Sequence, residues 1–291
     1  MGHRAGRREP DAVSPEPAIL VRDVTLTYPR GGVTALDGVS LRVEPGETVG
    51  IAGQNGSGKT SLAKLLNGLL RPARGSVHVG GRDTAGLTVQ QLAASVGFVF
   101  QNPNHQLFAS TVAAELAFGP ANLGVGRDEV ERRVAEALER FGLAPHAASH
   151  PYRLSFPLRK LVAIASVVTM RPAILVLDEP TTGQDHQTTT IINRLIHGLR
   201  DGGCTVICAS HDMLLLADVA ERLVVLRQGR IIADGPTREV FSDAEAMRGS
   251  RLAPPQVTQI SLGIARLAGR PAALGVPELA ASLRATRRGD P

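Results

Sequence analysis

The sequence has no tryptophan, and aromatic residues make up only 3% of its 291 residues. Proteins that bind single-stranded nucleic acids stack successive bases on aromatic side chains. The scarcity of aromatics therefore argues against a base-stacking surface, and we expect no nucleic-acid partner. The net charge of +5 permits an acidic partner or an anionic membrane surface but is too small to identify one.

Cysteines and long apolar runs are also scarce. The two cysteines, Cys204 and Cys208, lie in one apolar run and fall on the same face of a predicted strand, which favours core positions over a disulfide or a metal site. No stretch reaches the roughly 18–20 apolar residues that a membrane-spanning helix needs. The N-terminus lacks the apolar core of a signal peptide. We therefore expect a cytoplasmic protein that reaches any membrane through a partner.

The composition of the rest of the chain is that of a globular protein. Hydrophobic residues make up 43% and charged residues 20% of the sequence, which is ordinary for a soluble domain. Residues 1–17 differ, because they combine arginine, proline and acidic residues with little to bury. This composition predicts a disordered basic tail.

One glycine-rich segment is the most informative part of the sequence. It reads Gly-Gln-Asn-Gly-Ser-Gly-Lys-Thr over residues 53–60, after the apolar run 48–52 and before a helical pattern. This spacing between a strand and a helix is typical of a phosphate-binding loop, whose backbone N–H groups and helix N-terminus hold an anion. The predicted nucleotide contacts are Gly53, Asn55, Gly56, Ser57, Gly58, Lys59, Thr60 and Ser61.

Within this loop we expect Lys59 to reach the β- and γ-phosphates and the Thr60 hydroxyl to hold Mg²⁺. The alternative is a glycine-rich turn that binds nothing. Because the chain has only three lysines, the full spacing should arise by accident in roughly one such chain in a few hundred. A nucleotide site is the better interpretation.

Two carboxylates follow a second apolar run. Asp178 and Glu179 come directly after residues 174–177, which predict a strand buried on both faces of a parallel sheet. Ligand sites form at the carboxyl ends of such strands. We expect Asp178 to bind Mg²⁺, and Glu179 to orient or deprotonate an attacking water. The alternative is a strand that simply ends in polar residues.

Two more polar residues follow predicted strands. His211 comes shortly after the run 205–209, and Gln101 comes directly after the run 96–100. At the same edge of the sheet, His211 could reach the γ-phosphate. Gln101 could hold Mg²⁺ or position the attacking water. Alone, neither residue would indicate a site.

The remaining pattern alternates strands and helices. Valine and leucine at helical spacing over residues 130–141, with charged residues elsewhere, predict an amphipathic surface helix inside an insert over 105–150. The other predicted elements are strands at 19–28, 37–44 and 75–80, a buried helix within 154–170, and a closing hairpin at 223–233. Such alternation is typical of an α/β fold.

Together these residues resemble the ATP-binding cassette (ABC) ATPases over roughly residues 19–245. The order along the chain is Tyr28, the phosphate-binding loop, Gln101, the helical insert, Leu154-Ser155, Asp178-Glu179, Asp185 and His211. The resemblance implies an α/β fold with a P-loop NTPase core, an N-terminal antiparallel β-subdomain, an α-helical subdomain and a short C-terminal helical extension. It also implies ATP and Mg²⁺ as cofactors, and ATP hydrolysis as the activity.

The resemblance implies a domain organisation as well. The ABC ATPase domain would span 18–245, with its helical subdomain at about 103–170, and residues 246–291 would form an extension that is a candidate dimer contact. Members of the family work as head-to-tail dimers that sandwich two ATP molecules. A second ABC ATPase chain is therefore expected, in a homodimer or a heterodimer.

Individual roles also follow from the resemblance. Tyr28 would stack on adenine, although a lone aromatic at a strand end is often a core residue. Ser155 would bind the ATP of the partner chain, and Asp185 would contact the opposing chain. Gln101 would couple the site to a membrane partner.

Three segments resemble the ATPases of energy-coupling factor (ECF) transporters, which energise uptake of B vitamins, cobalt or nickel. They are residues 101–108, 115–120 and 252–259. The resemblance implies a location at the cytoplasmic face of the membrane, attached to an integral membrane transport subunit. Gln106, Leu107 and Phe108 are the candidate contacts, and we expect Leu107 and Phe108 to be exposed. The alternative is that Phe108 packs into its own domain.

The sequence departs from the family in two places, and the first is the loop around Asp185, where Gln184 stands for the usual leucine and His186 for the common proline. The second departure is a motif near residue 155. Where the family has Leu-Ser-Gly-Gly-Gln, this chain has Leu-Ser-Phe-Pro-Leu over residues 154–158. Pro157 has no N–H to offer a phosphate, and its ring is expected to push Phe156 out of helical geometry. A regulatory cassette with weak hydrolysis is therefore one alternative. A soluble ABC ATPase that serves no transporter is another.

Overall fold

The computed structural model describes residues 16–29, 31–264 and 271–288, so the predicted tail lies almost wholly outside the described residues. The strands are β1 Ile19–Thr27, β2 Thr34–Val43, β3 Thr48–Ala52, β4 Arg74–Val79, β5 Arg82–Asp83, β6 Val96–Val99, β7 Ile174–Asp178, β8 Thr205–Ser210, β9 Arg222–Arg227 and β10 Arg230–Pro236. The α-helices are α1 Lys59–Leu66, α2 Val89–Ala93, α3 Val112–Asn122, α4 Arg127–Arg140, α5 Phe156–Val168, α6 His186–Asp201, α7 Met213–Val219, α8 Thr237–Ser242, α9 Ala244–Ser250, α10 Gln256–Gly263 and α11 Val276–Arg288.

The larger sheet has six strands in the order β10-β9-β3-β8-β7-β6. Its neighbouring strands are parallel, except that β10 and β9 form the predicted antiparallel hairpin. Every residue of β3, β7 and β8 is buried, as expected when helices cover both faces of a parallel sheet. Alternate residues of β7 enter two different hydrophobic clusters, Leu175 and Leu177 in one, Ile174 and Val176 in the other.

The smaller sheet is antiparallel, with the strand order β2-β1-β4-β5. Its apolar side chains join α1 and one face of the larger sheet in a single cluster that includes Ile19, Leu36, Leu62 and Val176. The predicted β-subdomain is therefore confirmed, and it packs against the helix that follows the glycine-rich loop.

The helical insert contains α3 and α4 and leads into α5. In α4 the buried positions are Val130 and Ala137, so the predicted amphipathic helix is confirmed. All residues of α5 from Lys160 to Val167 are buried, which makes α5 the element that attaches the insert to the sheet.

The start of α5 corrects one prediction. We expected Pro157 to displace Phe156 from helical geometry, but α5 begins at Phe156, with Ser155 as its N-cap residue. The first N–H groups of a helix have no partner within the helix, so a proline in the first turn removes no bond. The helix therefore accommodates Pro157, and the prediction was wrong.

The C-terminal helices α10 and α11 contact each other, and they also contact α8. Thr258 in α10 donates to the Ala273 carbonyl at 2.8 Å, and Arg238 in α8 pairs with Glu278 in α11 at 2.6 Å. Within the described parts of the chain, no helix is long and apolar enough to cross a bilayer.

The cysteines occupy different environments. Cys208, on β8, is fully buried in the hydrophobic core, and burial raises the pKa of its thiol. Cys204 precedes β8, is partly buried, and is a free thiol like Cys208. The predicted core position is confirmed for Cys208.

The contact between β6 and α5 generates a stability prediction. A Cβ added at Gly97 would clash with Val167 and would lie 2.8 Å from Pro172 Cγ. We expect Gly97→Ala to lower the free energy of unfolding by about 1–3 kcal/mol through overpacking, measured by urea denaturation at unchanged m-value. Gly249→Ala in α9 is the control, because a Cβ there meets nothing within 4 Å, and it should stabilise by about 0.5–1 kcal/mol. Equal stability of the two variants would contradict the prediction.

Candidate functional site

The glycine-rich loop lies between β3 and α1, as predicted. Gly58 is the N-cap residue of α1 at φ 109°, and no side chain caps the helix. A Cβ at Gly53 would lie 2.6 Å from the Leu226 carbonyl oxygen, and one at Gly58 2.6 Å from that of Ala35. Only glycine fits at these two positions. The uncapped N–H groups of α1 point at the loop and form a site for an anion.

Lys59 is buried at the start of α1, with 5% of its surface exposed. Its Nζ donates to the carbonyls of Gly53 at 2.7 Å and Gln54 at 3.3 Å. The same Nζ lies 3.4 Å from Glu179 Oε1. The loop thus holds a buried ammonium next to the carboxylate of Glu179, the residue that follows β7.

Asp178 ends β7 opposite the loop helix. The Thr60 hydroxyl donates to Asp178 Oδ1 at 3.1 Å. Burial, together with the charge of Glu179, raises the pKa of Asp178 although the Thr60 hydrogen bond lowers it. The carboxylate is therefore destabilised in this environment, and a nearby cation would relieve that.

The residues around Asp178 fit Mg²⁺. Thr60, Asp178 and Gln101 offer hard oxygen donors, which Mg²⁺ prefers, and Mg²⁺ usually takes only one or two protein ligands beside waters and phosphates. The described ranges contain no group of three or more His, Cys, Asp or Glu side chains that could hold a metal ion.

Glu179 follows β7 in an unusual backbone conformation, with φ 48°. For a residue other than glycine the left-handed region costs about 1–3 kcal/mol and is typical of functional sites. Its N–H donates to the Ala209 carbonyl at 2.8 Å. Its side chain accepts from Ser210 Oγ at 3.2 Å and lies 2.7 Å from His211 Nδ1. The neighbouring strand β8 therefore fixes both ends of this residue.

The charge state of Glu179 follows from the same contacts. Burial raises the pKa of this carboxyl, but the hydrogen bond with His211 and the attraction of Lys59 outweigh burial, so the pKa lies below its ordinary value. Glu179 is therefore ionised at neutral pH. A carboxylate with a low pKa is suited to orienting a water. It is poorly suited to the role of a general acid, which must stay protonated.

A cavity of about 330 Å³ brings most of the predicted residues together. Its lining includes Tyr28, Gln54, Asn55, Gly56, Ser57, Gly58, Lys59, Thr60, Ser61, Gln101 and Glu179. The Tyr28 hydroxyl lies 3.0 Å from Ser61 Oγ, while its ring packs against the hydrophobic cluster. Both interpretations of Tyr28, stacking on adenine and packing in the core, agree with this position.

Ser155 lies elsewhere. It is the exposed N-cap residue of α5, its hydroxyl caps nothing in its own helix, and it is not among the described residues that line the cavity. Beside it, Phe156 lies against the loop before α6, where a Cβ at Gly183 would be 3.2 Å from the ring. Asp185 caps α6 by accepting from the Thr188 N–H at 2.7 Å.

The three candidate contacts with a membrane partner differ in their exposure. Leu107 is buried in the hydrophobic core with 3% exposure, so the prediction that it is exposed was wrong. Gln106 is also tied to its own domain, because its Nε2 donates to the Ala163 carbonyl at 2.6 Å. Phe108 is 61% exposed and packs edge to face on the exposed ring of Phe118, with centroids 4.6 Å apart.

Sequence reasoning missed Lys160. This residue of α5 is fully buried, and its Nζ donates to the carbonyls of Phe100 and Gln101 at 2.9 Å each and of Glu179 at 3.3 Å. Burial lowers its pKa to about 8. One of only three lysines in the chain, it sits at the head of an apolar run, and that contrast was the available signal.

The amino-acid sequence is similar to those of known proteins. The family model described as "ABC transporter" matches residues 36–182. An energy-coupling factor transporter ATP-binding protein EcfA of Methanothermobacter thermautotrophicus is 44% identical over 253 residues, which cover 86% of this chain and 81% of that protein. A putative ABC transporter ATP-binding protein of Geobacter sulfurreducens is 47% identical over 237 residues, covering 81% of this chain and 94% of that protein.

Two solved structures are similar as well. The cbiO1 protein of Clostridium perfringens, described as part of the ABC transporter complex cbiONQ, has a TM-score of 0.71 at 32% identity and covers 86% of this chain and 97% of its own. A dimeric post-hydrolysis state of an ATP-binding cassette bound to ADP and Pi has a TM-score of 0.69 at 28% identity, covering 76% and 99%.

Proposed function

The chain belongs to the ABC transporter family, and we infer that it is the ATP-binding and ATP-hydrolysing subunit of an uptake transporter of the energy-coupling factor type. The single observation that carries this inference is the cavity in which the glycine-rich loop meets Glu179 and Gln101. The names of the relatives support the transport role. We propose a vitamin or a transition-metal ion as the transported substrate, and a location at the cytoplasmic face of the membrane.

The residues divide the chemistry among them. We propose that Lys59 and the N–H groups at the start of α1 hold the phosphates. Bound Mg²⁺ would neutralise developing charge on the phosphates. We propose that Thr60 and Gln101, which line the cavity, hold that ion together with Asp178, which accepts a hydrogen bond from Thr60. Tyr28 borders the cavity on the side of Ser61.

Glu179 is the proposed group that acts on water. It is ionised, and its orientation is fixed by Ser210, His211 and Lys59. Its carboxylate can therefore accept a hydrogen bond from a water and aim that water at a phosphate held by the loop. His211 is a positioning residue in this arrangement, because its Nδ1 contacts Glu179.

Removing this carboxylate tests the proposed function. We expect Glu179→Gln to retain ATP binding and to lower ATP turnover by about a hundredfold or more, since the amide orients and accepts protons poorly. Phosphate release and binding of a fluorescent ATP analogue measure the two properties. Glu115→Gln is the matched control, because Glu115 is an equally buried glutamate outside the cavity. Unchanged turnover in Glu179→Gln would remove this residue from the mechanism.

The altered motif at α5 favours a second candidate, a cassette that completes its partner's site weakly. The hydroxyl of Ser155 is exposed and caps nothing in its own helix, so it remains available to a partner chain. Pro157 has no N–H, and the Phe156 ring occupies space beside Gly183. We propose that the site completed by Ser155 is weak, and that the Lys59–Glu179 site needs an intact motif from a different chain.

The double variant Phe156→Gly/Pro157→Gly tests this candidate. Restoring one charge-assisted N–H donor should raise ATP turnover of the isolated chain roughly tenfold or more, measured by phosphate release at saturating ATP. Thermal unfolding should be followed in parallel, because glycine in the first turn weakens α5. If the wild-type chain turns over ATP as fast as the double variant, the motif is not impaired and a homodimer becomes the better interpretation.

The exposed pair of Phe108 and Phe118 is the proposed contact with the membrane subunit. The backbone N–H groups of Phe108 and Ala109 donate to the buried carboxylate of Glu115 at 2.9 and 2.7 Å. The loop is therefore held in place while the Phe108 ring stays exposed. Large exposed aromatic side chains on a fixed backbone are typical anchors of protein interfaces.

We expect Phe108→Ala to release the membrane subunit or to uncouple transport while ATP binding is kept. An aromatic anchor of this kind contributes about 2 kcal/mol or more to an interface, and retention of the membrane subunit on affinity-purified complexes measures it. Leu214→Ala is the control, because Leu214 is similarly exposed, at 67%, but belongs to α7, which is not part of the helical insert. Loss of thermal stability with complex formation intact would instead assign Phe108 to its own domain.

A further inference from the structure

The buried ammonium of Lys160 is a charged group that the proposed mechanism does not use. An ammonium is costly to bury unless each of its donors finds an acceptor. Lys160 has three N–H donors, and three carbonyl oxygens surround it, those of Phe100, Gln101 and Glu179. The number of acceptors matches the number of donors, so the ammonium has a full set of hydrogen bonds.

The three carbonyls come from both sides of the site. Phe100 and Gln101 follow β6, and Glu179 follows β7. Lys160 itself belongs to α5, whose N-cap is Ser155. One ammonium therefore joins the helix that carries the partner-facing serine to the two segments that carry Gln101 and Glu179.

The segment after β6 is attached to α5 by further bonds. Arg159 Nη1 donates to Asn104 Oδ1 at 2.8 Å, and Gln106 Nε2 donates to the Ala163 carbonyl at 2.6 Å. Tyr152, just before α5, donates to the carbonyls of Asn104 and Leu107 at 3.1 Å each. Residues 100–107 therefore follow any displacement of α5. Among these contacts, the Lys160 ammonium is the one that also reaches Glu179.

The contact at Glu179 is made to a strained peptide. Glu179 has φ 48°, and its carbonyl accepts from Lys160 and, at 3.4 Å, from the Thr182 N–H. A residue in a sparsely populated conformation persists only when its surroundings hold it there. Lys160 therefore holds the backbone carbonyl of Glu179, the residue whose side chain contacts Lys59 and His211.

We propose that Lys160 is a positioning residue that couples the position of α5 to the orientation of the Glu179 carboxylate. A shift of α5, imposed by whatever binds its N-terminus or the segment 100–107, moves the ammonium and with it the Glu179 carbonyl. The role of this coupling in catalysis rests on the proposed function, but the mechanical link does not.

The choice of lysine agrees with this role. The chain has 32 basic residues, of which only three are lysines. The planar guanidinium of arginine directs its donors in a fixed fork, whereas an ammonium is a compact group with three donors around one atom. A lysine ammonium can therefore donate to three carbonyls that converge on one buried point.

The experiment compares Lys160→Met with the wild-type full-length chain. Methionine has a similar length and no donor. We expect amide hydrogen exchange, followed by mass spectrometry, to become about tenfold faster or more in residues 101–107 and 179–184, while residues 53–60 stay unchanged. ATP turnover should fall about tenfold or more at nearly unchanged ATP affinity. Lys160→Gln, which keeps two N–H donors, should give intermediate exchange and turnover.

Thr169→Val is the matched control. Thr169 is also buried, caps the C-terminus of α5, and donates to the Leu116 and Ser166 carbonyls at 2.9 Å each. Its loss should lower the thermal unfolding temperature without selective exchange at 179–184.

Three results would overturn the proposal. They are unchanged exchange at 179–184 in Lys160→Met, equally faster exchange throughout the chain, and failure of both Lys160 variants to fold. The last two would assign Lys160 to general stability. Absence of ATP turnover in the wild-type chain would count against the proposed function and would leave the exchange result interpretable.

Discussion

The functional site depends on the register of the parallel strands β3, β7 and β8. Asp178 lies opposite Ala209 on β8, and Ala52 lies opposite Ser210. Because the three strands end at the same level, three segments come together there: the loop after β3, the two carboxylates at the end of β7, and His211 after β8. A slip of one residue in any pair would move the alternating apolar side chains out of their clusters. Packing of the core and assembly of the site are therefore set by the same constraint.

Much of this arrangement could be predicted from the sequence. Short apolar runs that end in polar residues gave the strands, and the spacing of residues 53–60 gave the loop, because both signals are local. Burial of Leu107 could not be predicted. It sits beside a short 3₁₀ turn with no periodic pattern, and its burial comes from the cluster that it shares with α3 and α5. The helical conformation of Phe156 could not be predicted either. It depends on where α5 begins, because Pro157 is tolerated only in the first turn of the helix.

The contacts that fix Glu179 could not be predicted for another reason. Its backbone conformation, its bond to the Ala209 carbonyl and its contact with Lys160 join segments far apart in the sequence. None of these partners has a spacing that a sequence pattern would reveal. The rare buried lysine was visible, but its acceptors are backbone carbonyls, which every residue has. Identifying them requires the fold.

The last constraint on the site is the balance of its buried charges. Lys59 and Lys160 are balanced by Asp178 and Glu179, all of them almost fully buried. The two positive and two negative charges balance one another when no nucleotide is bound, as buried charges require. Lys59 is already shared with Glu179, so under the proposed function Mg²⁺ and donors from a partner chain would help to offset the charge of a bound triphosphate. In the proposed dimer the uncapped start of α5 in a partner would supply such donors, and in this chain Pro157 alters that same element.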